Sequence, residues 1–520
     1  MSTKRRLLTA TGGMAVVTLT SRISGLIRDK VVAYLLGAGL VADAFYTAFR
    51  IPNMFRQLLA EGALHAAFIP TLAELKASGD ESRARSFVRA MTSLLLLALP
   101  VIVAVGIFAA PWLVHLFAAK FETNPAKFAL TVRLTRLMFP YLGLISLAAL
   151  AQGVLNASDR FLLPASTPIG LNLCIVAGTV TAVVVLGGRP AWMAAGVVVG
   201  GFSQFAVQWL ACGRAGLPLL PGCGILTIPE IRTVLAKMAP TITTLGIYPL
   251  TVLLSTRFAS EVGEGAVTCL YNASRLNELV YGVVIVQLTT AVLPMLAAEK
   301  LASEAAARGT LGFAMRVLSA VALPSTAFSI VLATALAGAF FGGGKYGVSA
   351  VHTTAAALVM YSIGMPFLGL TKLLASASFA WNDTRSPVIA SVVNLVVFFA
   401  LGVALTAPFG VRGVAAATSG GQLANAGTLL WLDGKHRRLP RFLDVLPAVA
   451  RHLAAAAALG VVGYYLNTLA PVPLRTSVRS LAHLGGYTAL CGAVYVALLI
   501  GLGAEEWRDA RELLRRRRSA

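Results

Sequence analysis

Apolar runs of about 20 residues recur from one end of this chain to the other, and they limit its fold more than any other feature. The clearest runs are Met91 to Phe117, Leu162 to Leu186, Ala191 to Cys212, Val388 to Thr406 and Leu481 to Leu502. Such a run can cross a membrane as a helix, and backbone inside the hydrocarbon must be helical to satisfy its own hydrogen bonds. With the less apolar runs included, we count about fourteen crossings. The sequence therefore predicts an all-α polytopic membrane protein.

The composition agrees with a chain that folds in lipid rather than in water. Only 12% of the 520 residues are charged and 57% are hydrophobic, whereas about 25% are charged in soluble domains. No polar block of domain size separates the apolar runs, so we expect one polytopic unit. The five cysteines form no CxxC pair, and the sequence indicates neither a disulfide framework nor a metal site.

The formal charge of +22 indicates an orientation in the membrane. Lys and Arg collect in short cytoplasmic loops, and fourteen crossings with a cytoplasmic amino end place most loop Lys and Arg on that side. The opposite loops are poor in charge: residues 37–42 have none, and 342–347 have Lys345 alone. We therefore expect both termini in the cytoplasm. The basic tail could bind nucleic acid, but a topological anchor that meets anionic membrane lipids is the preferred interpretation.

The connection from Gly213 to Pro229 is rich in Gly and Pro and suggests two lobes of six helices. The predicted domains are an N-lobe (1–215), a C-lobe (230–434), two further spans (445–503) and a basic cytoplasmic tail (504–520).

Several arginines lie inside predicted spans: Arg22, Arg28, Arg50, Arg56 and Arg275. An ionisable group at the bilayer centre costs about 2.5 kcal/mol or more, so these side chains must either line a wet cavity or pair with acids. The acids that could pair with them or take part in gating are Asp29, Asp43, Glu61 and Glu278. Because bases outnumber acids, we favour a cavity with surplus positive charge, whose natural ligand is an anion such as a diphosphate.

Two helix-breaking residues lie among these arginines. Gly25 lies between Arg22 and Arg28, and Pro52 lies between Arg50 and Arg56. Interrupted helices allow transporters to open gates, so both residues are predicted gating positions.

Catalytic interpretations find little support. The chain has no GxxxxGK[ST] loop for ATP, no paired aspartates for magnesium and no HExxH motif, so we expect neither a cofactor nor a catalytic residue. A membrane-embedded phosphosugar transferase would also need arginines for a diphosphate, but it would need a carboxylate cluster for a metal as well. A transporter is therefore preferred to an enzyme.

Three segments resemble the MurJ (MviN) family of lipid II flippases, within the multidrug, oligosaccharidyl-lipid and polysaccharide exporter superfamily. They are the run SRISGLIRDKVVAYLLGAGLVADAFYTAFRIPNMFRQLLAEGALHAAFIPTLAE from Ser21 to Glu74, YNASRLNELVYGVV from Tyr271 to Val284, and SFAWNDTRSPV from Ser378 to Val388. The resemblance implies two six-helix lobes around a central cationic cavity, with two more helices shaping a groove for a lipid tail. It also implies a flippase of the bacterial inner membrane that moves lipid II to the periplasmic leaflet by alternating access.

By motif position, the resemblance implies that Arg22, Arg28, Arg56 and Arg275 bind the substrate, with Arg50 as a further basic group. The alternative substrate is another polyprenyl-diphosphate-linked glycan. Family members with a sodium site use a carboxylate in the seventh span, where this chain offers only Thr251, Ser255 and Thr256. Sodium coupling is therefore not expected. Nucleic acid is not expected as a partner, and the chain is expected to act as a monomer.

Overall fold

The computed structural model of the protein describes the backbone of residues 3–222 and 228–503. Within these ranges, the side chains of residues 3–15, 59–61, 63, 66, 239–245, 280, 281, 283–291, 294, 302 and 442 are outside the description. The described chain is helical and contains no β-strand beyond one isolated bridge between Gly343 and Tyr346. The predicted all-α fold is confirmed.

Seventeen α-helices follow one another along the described chain. They are α1 Thr3–Leu36, α2 Leu40–Phe55, α3 His65–Ala77, α4 Glu81–Ala118, α5 Pro125–Asn156, α6 Leu162–Val180, α7 Ala191–Arg214, α8 Pro229–Leu245, α9 Ile247–Val262, α10 Ala266–Ala302, α11 Glu304–Val331, α12 Ala333–Phe341, α13 Val348–Ala380, α14 Arg385–Phe409, α15 Val411–Lys435, α16 Phe442–Leu469 and α17 Val478–Gly501. A π-helix, Arg56–Leu64, joins α2 to α3, and only Gly246 separates α8 from α9. With these two joins, and without the short α12, the described chain has about 14 long helical segments, as the apolar runs predict.

Nine helical segments of the described chain are long and apolar enough to cross a membrane by length and composition alone, and all five clear apolar runs fall in them. On α4, the exposed residues Leu97, Val101, Val105, Phe108 and Trp112 recur every three or four positions. That spacing places them on one helix face, and an apolar face of this length is stable against lipid rather than water. The segments outside the group of nine include α1, α2 and α10, where the arginines of interest lie.

Contacts divide the chain into two compact units, Met1–Thr268 and Cys269–Ala520. In the first unit, one apolar cluster brings together Ile51 of α2, Val114 of α4, Phe139 of α5 and Leu253 of α9. The predicted lobes are defined by membrane crossings rather than by contacts, and their limits at 215 and 230 stay a prediction.

The second unit has apolar clusters of its own. Leu296 of α10, Leu311 of α11 and Leu373 of α13 form one of them. Leu459 of α16 and Cys491 of α17 form another, against Phe328 of α11. The last two helices therefore pack together as an appendage on α11.

Candidate functional site

Arg28 lies on α1 and is only 7% exposed. Its Nε and Nη2 atoms donate to Oδ1 of Asp29 at 2.9 and 2.7 Å, and its Nη1 donates to Oδ1 of Asn172 at 3.0 Å. The ring of Phe49 lies 6.0 Å from the guanidinium carbon. Arg28 therefore pairs with Asp29, its neighbour in the chain, and a neutral amide shares the guanidinium.

Asn172 was not predicted as a site residue. It lies on α6, is 6% exposed, and donates to Oγ of Ser24 at 2.8 Å. The available signal was a single amide inside the long apolar run from Leu162, because a buried amide needs hydrogen-bond partners. Gly25 faces the same residue: a Cβ there would lie 3.6 Å from Nδ2 of Asn172, and α1 continues through Gly25 without a break.

Arg50, on α2, is 8% exposed, and its Nη1 donates to Oγ1 of Thr256 on α9 at 2.6 Å. Thr256 is one of the three hydroxyl residues that the sequence offers in the seventh span. The other two, Thr251 and Ser255, donate to carbonyls of their own helix. One of these hydroxyls therefore contacts a guanidinium cation.

The helix changes its winding next to Pro52, where the sequence predicts an interruption. Pro52 is buried inside α2, which ends at Phe55 and continues as the π-helix. Proline lacks an N–H donor and disturbs the helical ladder, and π-helical turns are frequent at functional sites. Arg56 opens this π-helix and donates from Nε to Oδ1 of Asn53 at 2.8 Å. The side chain of Glu61 lies outside the described residues.

Arg22 is half-buried on α1, and it makes no hydrogen bond or ion pair with the described part of the chain.

Asp43 is fully buried and has an unpredicted partner. Its Oδ2 accepts from Nζ of Lys127 on α5 at 2.8 Å and from the N–H of Gly265 at 2.7 Å. Its Oδ1 accepts from the N–H and the hydroxyl of Thr268 at 2.9 and 2.6 Å. Asp43 therefore joins α2 and α5 to the N-terminus of α10, where a carboxylate is favourable.

Arg275 lies on α10, in the second unit. Its Nη1 donates to Oε2 of Glu278 at 2.7 Å, and its Nε donates to the hydroxyl of Tyr271 at 3.0 Å. The side chains of Arg275 and Glu278 are 36% and 49% exposed. Arg275 therefore pairs with Glu278 one helical turn away, and the exposure of both side chains weakens the pair.

The contacts change the charge count around these residues. Asp43 pairs with Lys127 rather than with an arginine, so this acid neutralises a base that the sequence count did not include. The described residues contain no group of three or more His, Cys, Asp or Glu that could hold a metal ion. The guanidinium groups of this arrangement can bind an anion.

Both the sequence and the fold of this chain are similar to those of known proteins. Residues 32–478 match the family model described as lipid II flippase MurJ. The chain is 37% identical over 401 residues to the lipid II flippase MurJ of Burkholderia cenocepacia, covering 76% of this chain and 77% of the relative. It is 32% identical to the probable lipid II flippase MurJ of Rhizobium meliloti, covering 97% of this chain and 95% of that protein.

The fold is similar to that of a lipid II flippase MurJ solved in an inward closed conformation. The TM-score is 0.79 at 21% identity, covering 96% of this chain and 99% of the other. An inward-facing transporter of the multidrug resistance MATE family follows with a TM-score of 0.65 at 15% identity. At these identities the two structures show a shared fold.

Proposed function

The chain belongs to the MurJ family of lipid II flippases, and we propose that it moves lipid II from the cytoplasmic to the periplasmic leaflet of the bacterial inner membrane. It is a multi-pass membrane transporter rather than an enzyme. Its substrate is the undecaprenyl-diphosphate-linked disaccharide pentapeptide from which peptidoglycan is built.

The observation that carries this proposal is the buried guanidinium of Arg28, held between Asp29 and the neutral Asn172. A cation in an apolar segment is costly, and membrane proteins use such groups to bind ligands or ions. A guanidinium binds two phosphate oxygens at once, and this geometry suits a diphosphate.

In the proposed mechanism, four arginines bind the diphosphate: Arg22, Arg28, Arg56 and Arg275. Arg50 adds to the positive electrostatic potential at this site. Asp29, Glu61 and Glu278 release their arginines to the phosphate oxygens and take them back when the head group leaves. Three further residues take part in gating, because they lie where helices meet or change their winding: Asp43, Gly25 and Pro52. Alternating access then exposes the head group to the periplasm while the prenyl tail stays in lipid.

The energy can come from the membrane potential. An inside-negative potential favours outward movement of negative charge by about 2.3 kcal/mol per elementary charge per 100 mV, so no ATP site is needed.

The distribution of loop charges supports an orientation with both termini in the cytoplasm. We propose that the chain acts as a monomer and binds no nucleic acid, and that its basic tail meets anionic lipid.

The test of this function is lipid II translocation by purified protein in proteoliposomes, with Arg28→Ala as the variant. We expect translocation to fall to the level of protein-free vesicles, with only partial recovery in Arg28→Lys, because an ammonium cannot bind two oxygens as a planar fork does. The matched control is Arg85→Ala, since Arg85 is exposed and its one ion pair within the described residues is with Glu81 on its own helix, at 3.1 Å. Unchanged translocation by Arg28→Ala would refute the assignment.

A further inference from the structure

A cavity of about 1050 Å³ lies in the second unit, apart from every residue assigned above. Its wall is formed by the first turns of α11, the loop between α15 and α16, and the first turns of α16. The charged residues of this wall are five arginines and one aspartate: Arg308, Arg316, Arg437, Arg441, Arg451 and Asp444. The cavity is therefore strongly cationic.

Backbone carbonyls orient several of these guanidinium groups. Arg308 donates to the carbonyl of Arg437 at 3.0 Å, and Arg451 donates to that of Gly503 at 3.0 Å. Among the described residues, no carboxylate forms an ion pair with Arg308, Arg437, Arg441 or Arg451. A carbonyl fixes the direction of a guanidinium without cancelling its charge, so the field of these side chains remains for an anion.

The N-terminus of α16 adds to this field. α16 begins at Phe442, with Arg441 at its N-cap position and no side-chain cap, whereas the N-terminus of α11 is capped by the hydroxyl of Ser303, which accepts from the N–H of Ala305 at 3.1 Å. The N-terminal end of a helix is the positive end of its dipole, so a basic residue there is unfavourable until an anion arrives. The cavity thus combines arginine side chains with the uncapped N-terminus of α16.

The length of α11 indicates where the cavity lies relative to the membrane surface. With a rise of 1.5 Å per residue, the 28 residues of α11 extend for about 42 Å, more than the ~30 Å of a hydrocarbon core. Its first turns therefore reach the head-group layer, and Arg308 is the fifth residue of the helix. Leu439, Pro440, Leu443 and Pro447 form an apolar part of the wall, and Leu443 is 76% exposed.

We propose that this cavity binds the phosphodiester head group of an anionic phospholipid, with the acyl chains along the apolar side of α16. The surplus of guanidinium groups favours binding of a phosphate. The exposed side chain of Leu443 favours a phosphate that carries acyl chains over inorganic phosphate. The site is independent of the proposed transport activity, because none of its residues takes part in the substrate site.

Binding of dioctanoyl phosphatidylglycerol to the full chain in detergent micelles tests the proposal. In the variant Arg308→Gln/Arg441→Gln we expect the dissociation constant to rise by about tenfold or more, because charge-assisted hydrogen bonds are lost. The control Arg385→Gln/Arg412→Gln removes the same charge from exposed positions outside the cavity, and its affinity should stay within about twofold of the unchanged protein, as for surface charges.

A second variant tests the space instead of the charge. A Cβ at Gly309 would meet no atom within 4 Å, so Gly309→Phe can fold with its ring in the cavity and all five arginines kept. We expect it to weaken phosphatidylglycerol binding as well, while the Tm without lipid stays unchanged.

Several results would overturn the proposal. They are unchanged affinity in both cavity variants, equal loss of affinity in the exposed control, or equal binding of dioctanoyl phosphatidylcholine. Saturable binding of inorganic phosphate at the same concentrations would assign the cavity to a soluble anion. Displacement of the probe by lipid II in an Arg28→Ala background would assign it to the substrate.

Discussion

Arg28 shows how one residue can keep a positive charge inside a helical bundle. Asp29 accepts two of its N–H groups, and Asn172 accepts a third without adding a negative charge. A second carboxylate in place of the amide would fix the guanidinium equally well but would shift the local charge toward the acidic side. The choice of amide over carboxylate therefore matters for an anionic substrate.

Two substitutions of Asn172 separate structure from charge. Asn172→Ala removes a hydrogen bond to a charged group, and we expect it to lower the free energy of unfolding by about 1.5–3 kcal/mol. Asn172→Asp keeps an acceptor for Arg28 and adds a negative charge, so stability should be largely kept while lipid II translocation falls. Translocation in proteoliposomes and unfolding in detergent are measured for both. Full translocation by Asn172→Asp would show that the charge at this position is irrelevant.

Asp383 supplies a residue-level prediction about pH. Its carboxylate accepts from the N–H groups of Arg385 and Ser386, from the Ser386 hydroxyl and from Arg438. Burial raises the pKa of Asp383, but the Ser386 hydroxyl and N–H, followed by Arg438, outweigh it and hold that pKa well below its ordinary value.

A carboxyl whose pKa is lowered by folding stabilises the protein above its unfolded pKa, near ~3.9, and loses this contribution as the pH falls toward the lower folded value. We therefore expect Asp383→Asn to lower the Tm at pH 7. The difference from the unchanged protein should shrink as the pH is lowered below about 4. Thermal unfolding in detergent across this range measures it, and a difference that grows toward low pH would contradict the assignment.

Individual site residues could be predicted from the sequence to different extents. The Arg28–Asp29 and Arg275–Glu278 pairs were predictable because their members are neighbours in the chain or one helical turn apart. The partner of Asp43 was not, because Lys127 is 84 positions away on α5 and only the tertiary fold brings it near. Asn172 was missed for the same reason.

At the scale of helices, apolar length predicted which segments exist but not where they change their winding. The hydrophobicity of the sequence does not reveal three features: the π-helix after Pro52, the bend at Gly246 and the short α12. Chain ends of helices are better marked: Asp159 after α5 and Asn382 after α13 adopt positive φ angles of 56° and 58°. Asp and Asn tolerate this conformation better than other residues with a side chain, so these helix ends could be recognised in the sequence.

The junction of α2, α5 and α10 depends on the Asp43–Lys127 pair. Asp43→Asn should lower the free energy of unfolding by about 3–5 kcal/mol, because Lys127 is 6% exposed and would be left as a buried charge without its partner. The double variant Asp43→Asn/Lys127→Met should recover much of this loss.

Unfolding in detergent for the single and double variants forms a double-mutant cycle that measures the coupling. Asp80→Asn is a suitable control. Asp80 caps α4 through the N–H of Arg83, and asparagine caps nearly as well as aspartate, so the change should leave the free energy of unfolding nearly unchanged. Equal losses of unfolding free energy in Asp43→Asn and Asp80→Asn would show that the buried Asp43–Lys127 pair stabilises the protein no more than an exposed helix cap does.

For the whole molecule, the distribution of charge relates the fold to its energy source. The +22 formal charge is carried by a chain that is only 12% charged, and the arginines of the proposed substrate site lie on α1, on α2 and the π-helix after it, and on α10. Such a protein attracts anions, and it has to expel them again on the other side. A potential that is negative inside helps this second step.

The final prediction is that translocation depends on the membrane potential and not on sodium. In the seventh span, the hydroxyl of Thr256 accepts from Arg50, and those of Thr251 and Ser255 donate to carbonyls of their own helix, so all three hydroxyls already have partners within the protein. Replacing sodium by choline in proteoliposomes should leave lipid II translocation unchanged. Collapsing an inside-negative potential of 100 mV removes about 2.3 kcal/mol for each negative charge moved, so the rate or the final distribution should drop severalfold. Translocation that stops without sodium and persists without a potential would refute this account of the driving force.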